Sequence, residues 1–362
     1  MNDSQAVDLI QDLVRIPSVS GQEQEAVGFL LETLKAHGFE TGSDAGGNAL
    51  GRLGEAGPRM ALVGHVDTVP GEVPVRIVDG KLFGRGSVDA KGCLAAFIVA
   101  AIRAQASGSL AMRIEFAACT EEEVPSSRGA HALLDSVPPD ALIIGEPSGA
   151  RAVTTGYKGF LAARLRREIA LEHTAGPGEG IAAAACRQYV GLAEAAGVRN
   201  EGVEALYDQL LIHLESVQSG TDGRFEHAEL RLKLRLPDDL DPAAARAWVA
   251  AAAPDWTAEF TGGVPAWSGP RTSPLARHLG RAIGTAGHRT RYLRKTGTAD
   301  LNLLAPAWGC PSVAYGPGDS ALDHAPNEHL ELSEYLEAIE VLQRLFQSAD
   351  AARAFEAVGA EA

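Results

Sequence analysis

Through the first 150 residues, short apolar runs alternate with segments whose apolar positions recur at helical spacing. The runs "RMALVG" (59–64), "AMRIEFAA" (111–118) and "DALIIG" (140–145) have the length and aliphatic content of buried strands. Between the first two, "AKGCLAAFIVAAIRAQ" (90–105) is apolar nearly all round and predicts a well-buried helix. Near the start, Val7, Ile10, Leu13 and Val14 share one face of an amphipathic helix. This alternation predicts a layered α/β domain.

The pattern changes near "TTGYKGF" (154–160). From there to about Trp267 the chain reads as a strand, an Ala-rich helix (181–196), the alternating run "AELRLKLRL" (228–236), a helix (241–252) and a short strand, "TAEFTGG". The segment is α+β in character and ends in the Gly- and Pro-rich joint "GGVPAWSGP". We therefore expect an inserted second domain at 157–266, splitting the first domain into 1–156 and 267–362. The α/β pattern resumes with a helix (273–286), the run "CPSVAYG" (310–316) and a helix at 332–348. The remaining tail predicts only a frayed helix.

Composition narrows the class. The 362 residues are 46% hydrophobic and 22% charged, as in ordinary globular proteins. No apolar run approaches the length of a membrane span. The N-terminus lacks the basic and apolar regions of a signal peptide, so the expected location is cytoplasmic. A net charge of -15 argues against nucleic acid or an anionic membrane as partner. The four cysteines, Cys93, Cys119, Cys186 and Cys310, show no CxxC pairing and are expected to be buried free thiols.

The informative feature is where the strands end. "RMALVG" is followed by His65 and Asp67, and "AMRIEFAACT" by Glu121, Glu122 and Glu123. "DALIIG" leads into Glu146, and "CPSVAYG" leads on to His324. Ligands of open α/β sheets bind at the carboxyl ends of the strands, so these groups are expected to converge in one crevice. The glycine-rich "GRGSVDAKG" (84–92) would bring Asp89 to the same place. Asp89 could instead be a plain N-cap, a contact worth ~1 kcal/mol. A dinucleotide fingerprint is not supported, because the third glycine and the following ribose-binding acid are missing. Clustered carboxylates need compensating charge, and imidazole with carboxylate suits a pair of zinc or cobalt ions.

The motifs "GHVDTVPG", "GRGSVDAKG", "TEEE", "GEPS" and "GPGDSALDHAPNE" resemble, in order and spacing, those of the M20 dinuclear zinc aminoacylase and carboxypeptidase family. The resemblance runs from "IPSVSG" near residue 16 to "EHLEL" near 332. It implies a zinc-peptidase-type α/β catalytic domain with a mixed central sheet, carrying an inserted α+β lid and dimerisation domain. It also implies two Zn2+ per chain, with Co2+ able to substitute, and a homodimer formed through the lid. By the same resemblance His65 and Glu146 would hold one ion, Glu123 and His324 the other, and Asp89 both. Asp67 matches the carboxylate that orients the ligand imidazole; residues i and i+2 at a strand end point the same way. Glu122 matches the general base, and Glu121 a supporting acid. In "LEHTAGPGEG", His173 matches an oxyanion-stabilising histidine of the lid, against the alternative of a histidine in a surface turn. Arg235 resembles a lid arginine that binds a substrate carboxylate, although no equivalent of the asparagine usual upstream is found.

"YLRKTGTADLNLL" (292–304) and "AYGPGDSALDHAPNEHL" are similar to a narrower group within that family. Its members release lysine, and in some organisms ornithine, from the C-terminal glutamate of an acidic amino-group carrier protein (LysW). The basic run "RTRYLRK" (289–295) would then meet a carboxylate or the carrier's acidic surface, with Arg294 and Lys295 as the pair to test. A solvated charged segment is the plain alternative. Competing functions are a small-molecule N-acyl amino acid deacylase or dipeptidase and, from another class, a carrier-binding protein without catalysis.

Overall fold

The computed structural model describes residues 1–173, 175 and 178–359. Two compact units divide them: Met1–Gly156, Gly269–Arg294 and Ala299–Ala362 form the larger, and Tyr157–Ser268 with Lys295–Thr298 the smaller.

In the larger unit the apolar runs form the interior of a mixed sheet. Arg59–His65 pairs in parallel with Arg113–Cys119 on one side and with Ala141–Gly145 on the other. Ser312–Ala314 continues the parallel set beside Ala141–Gly145. Glu40–Ser43 and Ala49–Leu53 extend one edge antiparallel, and Ala152–Tyr157 pairs antiparallel with Ser312–Ala314. Central strands buried on both faces need continuous apolar sequence, hence the runs without alternation. In this register His65 lies opposite Cys119 and Gly64 opposite Gly145, so three parallel strands end level. Their C-terminal loops therefore emerge on the same edge.

The helix Lys91–Ala106 packs against Asp3–Arg15, Leu332–Phe346 and these strands, buried nearly all round. Glycine permits its close approach. A Cβ on Gly64 would sit 3.0 Å from Leu94 Cδ2, and one on Gly145 would sit 2.9 Å from Phe97 Cε2. The residues before His65 and Glu146 thus lack side chains because the helix that follows Asp89 occupies that space.

Some expectations change. The first helix buries Ala6, Leu9, Ile10, Leu13 and Val14, with Val7 only partly covered. The supposed frayed tail forms the helix Ala349–Gly359, anchored by fully buried Ala351 and Phe355, with Phe355 edge-on to His278. Among the described residues no disulfide forms; Cys93 and Cys119 are buried, but Cys310 is only half-buried and Cys186 is exposed, because it lies on the solvent side of its helix rather than in an apolar run.

The smaller unit is a four-stranded antiparallel sheet in the order Leu211–Thr221, Phe225–Leu236, Gly159–Ala170, Thr257–Val264, with helices Ile181–Arg199 and Pro242–Ala252. Ala228, Leu230, Leu232, Leu234 and Leu236 alternate inward, as period-two patterning requires. Leu211–Thr221 went unread in the sequence because its side chains are half-buried or exposed. Lys295–Thr298, expected in the first domain, gathers here: Thr298 Oγ1 donates to Lys158 O at 2.7 Å and Lys158 N to Lys295 O at 3.2 Å. Trp267 and Ser268 belong to this unit as well. Among the described residues no helix is long and apolar enough to cross a membrane.

Candidate active site

The strand ends of the larger unit do converge. His65 is 1% exposed, and its Nε2 lies 3.1 Å from Asp89 Oδ1 and 3.9 Å from Glu146 Oε1. His324 Nε2 lies 2.9 Å from Glu123 Oε1 and 3.2 Å from Asp89 Oδ2. Asp89 therefore presents one oxygen to each imidazole. His65, Asp89 and Glu123 offer donor atoms all within 4.8 Å of one another. His324 holds a positive φ of 60°, a left-handed conformation that a non-glycine residue adopts at a cost of about 1–3 kcal/mol. Strain of this kind concentrates at functional sites.

Asp67 is the hub beneath these groups. Fully buried, it lies 3.5 Å from His65 Nδ1, which also meets the Asp67 carbonyl at 2.9 Å. Its Oδ1 accepts from Glu122 N at 3.0 Å, and its Oδ2 from Glu123 N at 3.1 Å and Ser20 Oγ at 2.7 Å. One carboxylate thus fixes the imidazole and the backbone of both following glutamates.

Sequence reading did not single out Ser20, Glu23 or Asp300. The "IPSVSG" segment is stitched to "VDT" by Ser18 Oγ to Val66 O at 2.7 Å and Thr68 N to Ser18 O at 2.9 Å. Glu23 is 2% exposed and accepts from Gly21 N at 2.8 Å and Glu121 N at 3.2 Å. Asp300 is 3% exposed, and its Oδ1 is buried with no hydrogen-bond partner among the described residues. Its only sequence signal is its place in "TGTAD".

The electrostatics are those of crowded acids. Burial opposes charge on His65, yet Asp67, Asp89 and the charge of Glu122 outweigh it and hold its pKa well above the ordinary value. His324 is pushed up to about 10 by hydrogen bonds to Asp89 and Glu123. Burial raises Glu122 well above the carboxylate range, with His65 opposing and Asp300, Glu146 and Glu123 adding. Burial also lifts Asp300 to about 7, against His65 and with the help of Asp67. Surplus negative charge of this kind is what bound cations relieve. Imidazole and carboxylate donors, a carboxylate shared between two histidines and the orphaned Asp300 oxygen all fit a site for two divalent ions.

The remaining candidates are His173, Arg235, Arg294 and Lys295. In the smaller unit, His173 is exposed, its Nδ1 accepting from Ala175 N at 3.1 Å; Thr174, Gly176 and Pro177 of the same motif lie outside the described residues. Arg235 is half-buried, donating to Thr298 Oγ1 at 2.9 Å with its guanidinium 5.2 Å from the Phe160 ring. Arg294 is exposed and Lys295 half-buried, both in the strand Arg291–Lys295.

Comparison with known proteins agrees with the geometry. Residues 61–348 match the model of peptidase family M20/M25/M40. The chain is 42% identical over 347 residues to the [LysW]-lysine hydrolase of Deinococcus radiodurans, covering 94% of this chain and 96% of that protein. Among solved structures it is similar to the M20 family metallo-carboxypeptidase Sso-CP2 from Sulfolobus solfataricus, with a TM-score of 0.77, 16% identity and coverage of 97% and 100%. It is also similar to the Bacillus subtilis YXEP protein, a dinuclear metal binding peptidase, with a TM-score of 0.69, 17% identity and coverage of 95% and 97%. With the fold, the metal-competent cluster and the sequence in agreement, this chain belongs to peptidase family M20/M25/M40 and is a hydrolytic enzyme.

Proposed function

We propose that the chain is a dizinc amidohydrolase acting on an amino-group carrier protein. It cuts the amide between the γ-carboxyl of the carrier's C-terminal glutamate and the α-amine of lysine, releasing lysine in lysine and arginine biosynthesis. The observation that carries this reading is the Asp89 carboxylate, one oxygen against His65 and the other against His324. The likeness to the carrier–lysine hydrolase of Deinococcus radiodurans supports the substrate.

In this reading His65 and Glu146 would hold one zinc and Glu123 and His324 the other, with Asp89 offering an oxygen to each and cobalt an acceptable substitute. Two divalent ions held there would supply Lewis acidity toward a water and the amide carbonyl. Asp67 keeps His65 in the tautomer that leaves Nε2 free to ligate. Glu122 takes a proton from the attacking water and delivers it to the lysine nitrogen as the C–N bond breaks. His173 donates to the developing oxyanion. Arg235 grips a substrate carboxylate, and Arg294 with Lys295 meets the acidic carrier. We place the enzyme in the cytoplasm as a homodimer through the smaller unit.

The test is lysine release by zinc-loaded protein from the carrier conjugate, compared with N-acetyl-lysine, acetylornithine and succinyl-diaminopimelate. Preference for the conjugate is expected. Preference for a small acyl amino acid would keep the two-ion chemistry and overturn the substrate.

A further inference from the structure

Asp89, His324 and the His65–Asp67 pair arrive on three separate segments, and one ion pair, of buried Glu328 with half-buried Arg85, touches all three. Glu328 is fully buried. Its Oε1 accepts from the backbone N–H of Val88 at 2.9 Å and of Asp89 at 3.3 Å, and its Oε2 meets Arg85 Nη1 at 2.7 Å. Arg85 in turn donates from Nε to Gly71 O at 3.1 Å and from Nη2 to His324 O at 3.4 Å. The Gly84 N–H closes the arrangement on Glu328 O at 3.3 Å.

A buried ion pair is a poor source of stability, because desolvation offsets most of the attraction. An apolar pair would fill the volume as well. It would not receive the two N–H groups at and before Asp89. That loop carries Gly84 and Gly86 in left-handed conformations, so its own backbone preferences hold it weakly. The direction of the Asp89 carboxylate depends on where its main chain is fixed, and Glu328 fixes it.

We infer that Glu328, held by Arg85, is a positioning residue: it anchors the Asp89 backbone so that a single carboxylate faces both His65 and His324. The inference rests on the two-ion reading above. Its consequence is that the acceptor at position 328, rather than the charge, sets metal affinity and ligand geometry.

Two double variants isolate that acceptor without stranding a buried charge. R85M/E328Q keeps a carbonyl oxygen, whereas R85M/E328M does not. Each is titrated with Co2+ under chelator competition, and the visible spectrum of the bound cobalt is recorded. R85M/E328M is expected to bind one of its two ions about 10–100-fold more weakly with a shifted spectrum, as losses beneath metal ligands do. R85M/E328Q should stay within about threefold of the parent with an unchanged spectrum. Equal behaviour of the two variants, both normal or both impaired, overturns the inference, since a merely structural role would move thermal stability and leave the cobalt spectrum alone. Should R85M/E328M not fold, Glu328→Asp decides: withdrawing the carboxylate by one methylene must weaken binding and shift the spectrum, and parent-like binding overturns the inference. A parent protein that fails to bind two Co2+ would instead refute the two-ion reading.

Discussion

Asp67→Asn changes almost no volume and tests the hub directly. Oδ1 receives the Glu122 N–H, while Oδ2 receives the Glu123 N–H and the Ser20 hydroxyl. An amide offers one acceptor and one donor, so in either orientation its NH2 group confronts a backbone N–H. The Ser20 hydroxyl can rotate away, but the backbone donor cannot. One or two buried donors are orphaned, at about 1–3 kcal/mol each, for a total of ~1–6 kcal/mol of stability. His65 also loses the carboxylate beside Nδ1, and such losses lower metal affinity or activity by about 10–100-fold. The assay pairs urea unfolding of metal-loaded protein with chelator competition for zinc. A variant that stays within about threefold of the parent in zinc affinity and unfolds at the same urea concentration would show that Asp67 does not organise the site.

The same geometry sets further outcomes. Glu122→Gln should abolish turnover while both ions still bind, as read by metal analysis; residual activity near the parent level would remove Glu122 as the base. His173→Ala should lower kcat by about 10²-fold or more if the imidazole stabilises an oxyanion, and an unchanged rate returns it to a surface turn. In the ion-free protein His324 titrates at about 10. A raised pKa stabilises the fold fully below the unfolded value of about 6.5 and ceases to do so as pH climbs through the folded value. Metal must displace that proton, so zinc affinity should rise with pH up to about 10, and a flat profile by calorimetry below that pH would contradict the assignment. Arg294→Ala with Lys295→Ala should raise KM for the carrier conjugate in a salt-sensitive way, leaving kcat near normal; an unchanged KM makes the cluster a solvated surface.

How much was legible varied with the range of the interaction. Strands buried on both faces must be apolar throughout, so "RMALVG" and "DALIIG" declared themselves, and the polar residues closing them could be read as one crevice. Leu211–Thr221 has neither a continuous apolar run nor a deeply buried face, so nothing local marked it as a strand. The tail's order is invisible locally because a short Ala-rich helix gains its stability from docking Phe355, not from its own propensity.

By itself the sequence determined the chemistry available: two histidines and a set of carboxylates, most of them placed where an apolar run must stop. Those positions are local consequences of burying a parallel sheet. Only the tertiary structure decided how the groups are held. Glu328 meets Val88 across 240 residues, Asp67 meets Glu122 across 55, and Lys295–Thr298 joins the smaller unit beside Arg235. No spacing or propensity encodes such pairings, because they exist only once the register of the strands has brought distant loops to one edge.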